Sequence, residues 1–185
     1  LKGRRAVGRW LSLSAVLTAL ASPTAAQPEP TLRAAVQSAY LYRFVHFVTW
    51  PAGPPADEFV FCVVGEDPLG IALDRTLSGQ LVDGAPARAR RLSRAEPGGE
   101  CKVMFVAGSR RQSAAEALAG VRGEPILTVV DAQRARGARA IVNLIEIDGR
   151  IRFTVDLGLA EEAGLTISSK LLDLAVDVRQ PAERP

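Results

Sequence analysis

Two cysteines and one histidine are the side chains best suited to covalent or metal chemistry here, and their spacing limits what they can do. Cys62 and Cys101 form no Cys-x-x-Cys pair, which argues against a thioredoxin-like redox site. Two cysteines with one histidine also make a poor zinc set. Each cysteine sits in an apolar, strand-like run: Phe59-Val60-Phe61-Cys62-Val63-Val64 and Cys101-Lys102-Val103-Met104-Phe105-Val106. Strands of one sheet can lie side by side, so a bridge is sterically reasonable. An even count in an oxidising compartment favours pairing; two separate buried thiols would pack as small apolar residues. A bridge would close a loop of about 40 residues, worth roughly 4 kcal/mol in the chain-entropy account.

The remaining candidates for catalysis are sparse. His46 lies in an apolar helical segment, where the ordinary role is a core or interface histidine. No Gly-x-Ser-x-Gly elbow occurs to present a serine to it. Glu161 and Glu162 are sequence neighbours, so on a helix their carboxylates diverge rather than pair. There is no Gly-x-x-x-x-Gly-Lys phosphate loop. The expectation is a protein that is not an enzyme, with no cofactor and no metal. One turn could still serve a small ligand, making the chain a sensory binding protein. Val64-Gly65-Glu66-Asp67-Pro68 runs from a strand towards a helix, the usual ligand position in open α/β sheets. Its two carboxylates oppose a phosphate and favour an amine or a neutral ligand.

The first 26 residues place these groups in a compartment. Lys2, Arg4, Arg5 and Arg9 form a basic head, residues 10–21 are uncharged and mostly apolar, and Ser22-Pro23-Thr24-Ala25-Ala26 offers small residues before Gln27. That is the build of a secretory signal peptide cleaved near Ala26. Its apolar core of about a dozen residues is short of the roughly 20 needed to span a bilayer. The full chain carries 23 Lys and Arg against 20 Asp and Glu; without the four basic residues of the leader the balance is 19 against 20. A near-neutral mature protein gives no electrostatic case for nucleic acid. With 48% apolar residues the chain is not disordered. Residues 27–185 fit one domain with a sizeable core, exported to a periplasm, with no further run long enough for membrane insertion.

The elements that must position the site follow from periodicity. Thr31 caps a predicted helix over 31–48, with Leu32, Val36, Tyr40, Phe44 and Phe47 as its stripe, widened by Leu41, Val45 and Val48, and Pro51 as its stop. Strands are predicted over 59–64, 87–92, 101–106 and 125–130. Helices are predicted over 69–77 (with Pro68 in its first turn), 112–119, 160–163 and 170–175. Asp148-Gly149 between apolar runs at 141–147 and 151–157 is a strong hairpin signal. Strands alternating with helices predict an α/β fold: a mostly parallel central sheet flanked by helices, with a late antiparallel hairpin at its edge. Residues 39–50 are apolar almost all round, so this stretch is buried deeply or covered by a partner. Candidate partner or dimer contacts are Tyr40, Phe47 and Trp50, together with Arg150 and Arg152 on the hairpin; for Trp50 the competing role is a core anchor at the helix end.

Four segments in this order resemble one known family. They are Ala39-Tyr40-Leu41-Tyr42-Arg43-Phe44-Val45-His46-Phe47-Val48-Thr49-Trp50-Pro51; Phe61-Cys62-Val63-Val64-Gly65-Glu66-Asp67-Pro68-Leu69-Gly70; the run from Cys101 to Val106; and Asp148-Gly149-Arg150-Ile151-Arg152-Phe153 through Gly164-Leu165-Thr166-Ile167-Ser168-Ser169-Lys170-Leu171-Leu172-Asp173-Leu174-Ala175. Together they resemble the YfiR-type periplasmic regulators, related to HmsC-like proteins. The resemblance implies a dimeric, non-catalytic protein. Such a protein binds the periplasmic sensor domain of an inner-membrane diguanylate cyclase and represses it, lowering cyclic di-GMP and biofilm formation. Cys62 and Cys101 resemble one of two disulfides of the family's best-known member; the second pair has no counterpart here.

Overall fold

The computed structural model describes residues 31–53 and 56–181. The signal-peptide reading of residues 1–26 lies outside the described residues. Thr31 caps helix α1 (Leu32–Phe44), its Oγ1 accepting from the Ala34 amide at 3.1 Å. The helix stops earlier than its apolar pattern predicts. A 3-10 turn (Val45–Phe47) intervenes, and Val48–Thr49 is strand β1. The buried face also differs. Ala34, Gln37, Ser38, Leu41 and Phe44 face the core, while Leu32 is 82% exposed. A polar residue turns the helix: Gln37 must reach a buried carboxylate, Asp131, to which it donates at 2.7 Å.

Strand β2 (Phe59–Gly65) is buried on both sides. Helix α2 (Ile71–Leu77) follows. Pro68 falls in the preceding turn rather than in the helix, because Gly70 at φ +49° breaks the path between them. Next come β3 (Leu81–Val82), β4 (Ala85–Leu92), β5 (Cys101–Gly108), α3 (Ala114–Gly120) and β6 (Leu127–Asp131). The hairpin is β7 (Val142–Ile147) and β8 (Arg150–Asp156), and Asp148 and Gly149 both take the positive φ that its two-residue turn demands. The chain then forms α4 (Leu157–Glu162), β9 (Thr166–Ile167), α5 (Ser169–Leu172) and β10 (Asp177–Arg179).

Eight strands form one sheet in the order β10-β8-β7-β6-β5-β2-β4-β3, and β1 pairs with β9 separately. The sheet is mostly parallel: only β7–β8 and β3–β4 are antiparallel. The hairpin is not its edge, as expected from sequence. Strand β10 adds outside β8 in parallel register, Val178 opposite Val155. Alternation along β2 divides the core. Phe59, Phe61 and Val63 pack with Leu41 and Phe44 of α1 and Leu73 and Leu77 of α2. Val60, Cys62 and Val64 pack with Ala117 and Leu118 of α3.

Candidate partner-binding surface

The covalent chemistry of the two cysteines is spent on structure. Cys62 on β2 and Cys101 at the start of β5 form a disulfide with Cα atoms 5.7 Å apart. They are nearly sealed, at 1% and 5% exposure, against the face that α3 covers. The local reason is a register shift after Val60–Cys101, which sets the two Cβ atoms on one side of neighbouring strands.

The strand-to-helix turn that could have held a ligand is filled by the chain itself. Gly65 and Gly108 end neighbouring strands, and a Cβ on Gly65 would lie 2.3 Å from the Gly108 carbonyl oxygen. Asp67 accepts from the Leu69 and Gly70 amides at 2.9 Å and from Arg91 Nε at 3.0 Å. Arg91 also forks onto Asp74 at 2.6 Å, and this contact with Asp74 first, then Asp67, holds the guanidinium pKa above its usual value. Its neighbours in the basic run are likewise paired, Arg88 with Glu58 and Arg90 with Glu100.

Sequence reasoning missed the largest buried polar cluster. Asp131 closes β6 at 1% exposure and takes the Arg33 guanidinium at 3.0 Å, Gln37, and the Gln133 amide. Arg33 also reaches Glu146 on the hairpin. The one available signal was a Gln on the core-facing side of α1, opposite an Asp that closes an apolar strand.

The five surface candidates separate. Tyr40 is half-buried; it donates to the Ile151 carbonyl at 3.1 Å and rests on Phe44 and Phe153. Phe47 is half-buried and packs on the same core. His46 is exposed, against Tyr42, rather than in the core. Trp50 packs edge to face on Phe59, 5.3 Å between centroids, beside a groove of about 740 Å³ also lined by Pro51, Val82 and Pro86. Its indole Nε1 is buried, with no hydrogen-bond partner among the described residues. Asp57, Glu58 and Asp83 stand on the groove's rim with Lys102.

Arg150 and Arg152 occupy a different place. In the hairpin register Arg152 lies opposite Ile145 and Arg150 opposite Ile147, on the face away from Leu144 and Phe153. No residue of β7 or β8 belongs to the core under α3, so this face carries no helix. Ile147 is 41% exposed, and both arginines are exposed. Among the described residues neither arginine has an ion pair or side-chain hydrogen bond. The strands β2, β5, β6 and β7 run parallel, so Trp50, beside the start of β2, and the hairpin tip lie at opposite ends of the strands, about 20 Å apart by strand rise.

What remains is a sheet with a sealed disulfide, a closed ligand turn and an uncovered hairpin face. A family model described as YfiR/HmsC-like matches residues 34–176. The chain belongs to the YfiR/HmsC-like family. This is a family of periplasmic regulators, whose members act on a partner protein rather than by turnover. The match spans every element described above except β10 and the first turn of α1. No curated protein matches the chain. No helix among the described residues is long and apolar enough to cross a membrane.

Proposed function

We propose that this chain is an exported periplasmic regulator, freed of its leader near Ala26. It binds the periplasmic sensor domain of an inner-membrane diguanylate cyclase and holds it inactive, lowering cyclic di-GMP and biofilm formation. The observation that carries the reading is the hairpin face without a helix: half-buried Ile145 opposite Arg152 and exposed Ile147 opposite Arg150, two cations with no ion pair among the described residues. Apolar side chains flanked by arginines are the composition of a binding surface, where arginine concentrates energy. The face suits a partner that presents carboxylates around apolar side chains. It does not suit a second copy of itself, because a two-fold contact would set arginine against arginine.

The Trp50 groove supports the homodimer that family membership suggests. Its rim carries both signs, Lys102 against Asp57, Glu58 and Asp83, and so is self-complementary. The test is co-purification of the mature chain with the sensor domain of a co-encoded membrane cyclase. A stable complex that lowers cyclase activity is the expected result, and no complex with any neighbouring sensor domain contradicts it.

A further inference from the structure

A second surface, distant in character from the hairpin, gathers three arginines around two adjoining cavities. Arg122 follows α3, Arg139 precedes β7, and Arg179 ends β10. The outer cavity, about 450 Å³, is lined by all three guanidiniums with Asp156, Glu162 and Gly158. The inner one, about 170 Å³, is lined by Leu118, Val121, Ile126 and Ile141. Arg122, Arg139, Leu159 and Glu162 border both, so the two form one crevice with an apolar floor and a charged mouth.

The charges do not balance at the crevice's mouth. Glu162 is taken by a two-point contact with Arg122, at 2.7 and 2.8 Å. Asp156 spends one oxygen capping α4, on the Leu159 amide, and the other on Arg139 at 2.5 Å. Arg179 approaches that second oxygen only to 3.8 Å and makes no hydrogen bond among the described residues. Glu124, which also borders the inner cavity, accepts from the Gly98 amide. At the mouth three cations therefore meet two anions, and Arg179 is the guanidinium whose donors are open among the described residues. An arginine fork matches a carboxylate in geometry as well as charge. The inner cavity is of the size that admits a single six-membered ring, since an apolar cavity of about 150 Å³ takes up benzene.

We propose that this crevice binds a small organic carboxylate: its anionic head between Arg139 and Arg179, its ring-sized apolar body against Leu118, Val121 and Ile126. The site stands independently of which protein meets the hairpin face. It gives a periplasmic regulator a means of sensing a metabolite, since a ligand here would tie α3, α4 and β10 together.

Benzoate and phenylacetate are suitable probes, titrated calorimetrically into the mature chain, with acetate and benzyl alcohol as controls lacking the ring or the charge. Both aromatic anions should bind saturably, shifting the backbone amide resonances of Arg122, Gly158 and Leu159. Each control should bind at least about tenfold more weakly. Arg179→Gln, at an exposed position, should weaken benzoate by about tenfold or more without moving the melting temperature. The proposal is overturned by absence of saturable binding, by acetate or benzyl alcohol matching benzoate, by resonance shifts confined to other regions, or by wild-type affinity in Arg179→Gln.

Discussion

Gly65 and Gly108 meet backbone to backbone at the carboxyl ends of β2 and β5, the point where the chain switches from one sheet face to the other. Helix α2 follows β2 on one face and α3 follows β5 on the other, which in open α/β sheets leaves a crevice for a ligand. Here the crevice is closed, with the Glu66 amide donating to the Gly108 carbonyl at 2.9 Å. Gly65 holds φ +89° and Gly108 φ +75°, and neither has room for a Cβ. Gly65→Ala should therefore cost at least about 2 kcal/mol, from backbone strain and steric displacement together. Urea unfolding of the variant checks this, and a wild-type midpoint would show that the contact is loose in solution.

The disulfide joins strands that are already hydrogen-bonded neighbours, so its effect falls mainly on the unfolded chain. With the cysteines 39 positions apart, Cys62→Ala should lose about 2–5 kcal/mol. Alkylation of denatured, unreduced protein should label no thiol. Two labelled thiols in protein taken from the periplasm would reject the pairing.

Removing Arg33 should harm the fold more than its partly exposed position suggests. Asp131 is 1% exposed and would keep only Gln37 and one amide. Arg33→Ala is expected to cost about 3 kcal/mol, the low end for stranding a buried charge. Arg33→Ala combined with Asp131→Asn should recover part of that loss, as measured by thermal melts of both variants.

Acid should expose the capping of α3. The Ser113 backbone N–H donates to the Glu116 carboxylate at 2.8 Å and, with the Ser113 hydroxyl, holds its pKa below the usual glutamate value. A carboxylate with a depressed folded-state pKa adds stability above its unfolded pKa and loses it as pH falls through the folded value. Glu116→Gln should thus melt below wild type at pH 7, with the gap closing towards pH 3. A gap that stays constant across that range would remove the carboxylate's charge from the account.

The elements legible in the sequence were those with long apolar runs or decisive turns. Strands β2 and β5 and the Asp148-Gly149 hairpin fall where pattern and turn chemistry put them. Strands β1, β3, β9 and β10 have only two or three residues each. Nothing local marks them, because they exist only through their partners: Val48 opposite Ile167, Val178 opposite Val155. Leu41 and Phe44 are buried as their spacing predicts, but at the start of α1 hydrophobicity assigns Leu32 inward and Gln37 outward, whereas Asp131 draws Gln37 in. Of the surface candidates, sequence position alone could not show that Tyr40 is held on Ile151 while Arg150 and Arg152 have no partner among the described residues.

Trp50→Phe separates the two roles weighed for that residue. The indole N–H makes no bond within the described residues and the ring is only half-buried, so the lost ring volume should cost no more than about 1.5 kcal/mol. The homodimer should weaken, read by sedimentation. Loss of folding would return Trp50 to the core; an unaltered dimer would remove it from the interface.

The helix-free hairpin face should bind an acidic, apolar partner, and calorimetry reads that contact without an intermediary. The mature chain is titrated calorimetrically with the purified sensor domain of a co-encoded inner-membrane diguanylate cyclase, alongside the double variant Arg150→Glu, Arg152→Glu. The wild type should bind saturably. The variant, with its melting temperature unchanged, should bind at least about a hundredfold more weakly, since like charge replaces complementary charge at the contact. Failure of the wild type to bind, or equal affinity in the variant, would contradict the account.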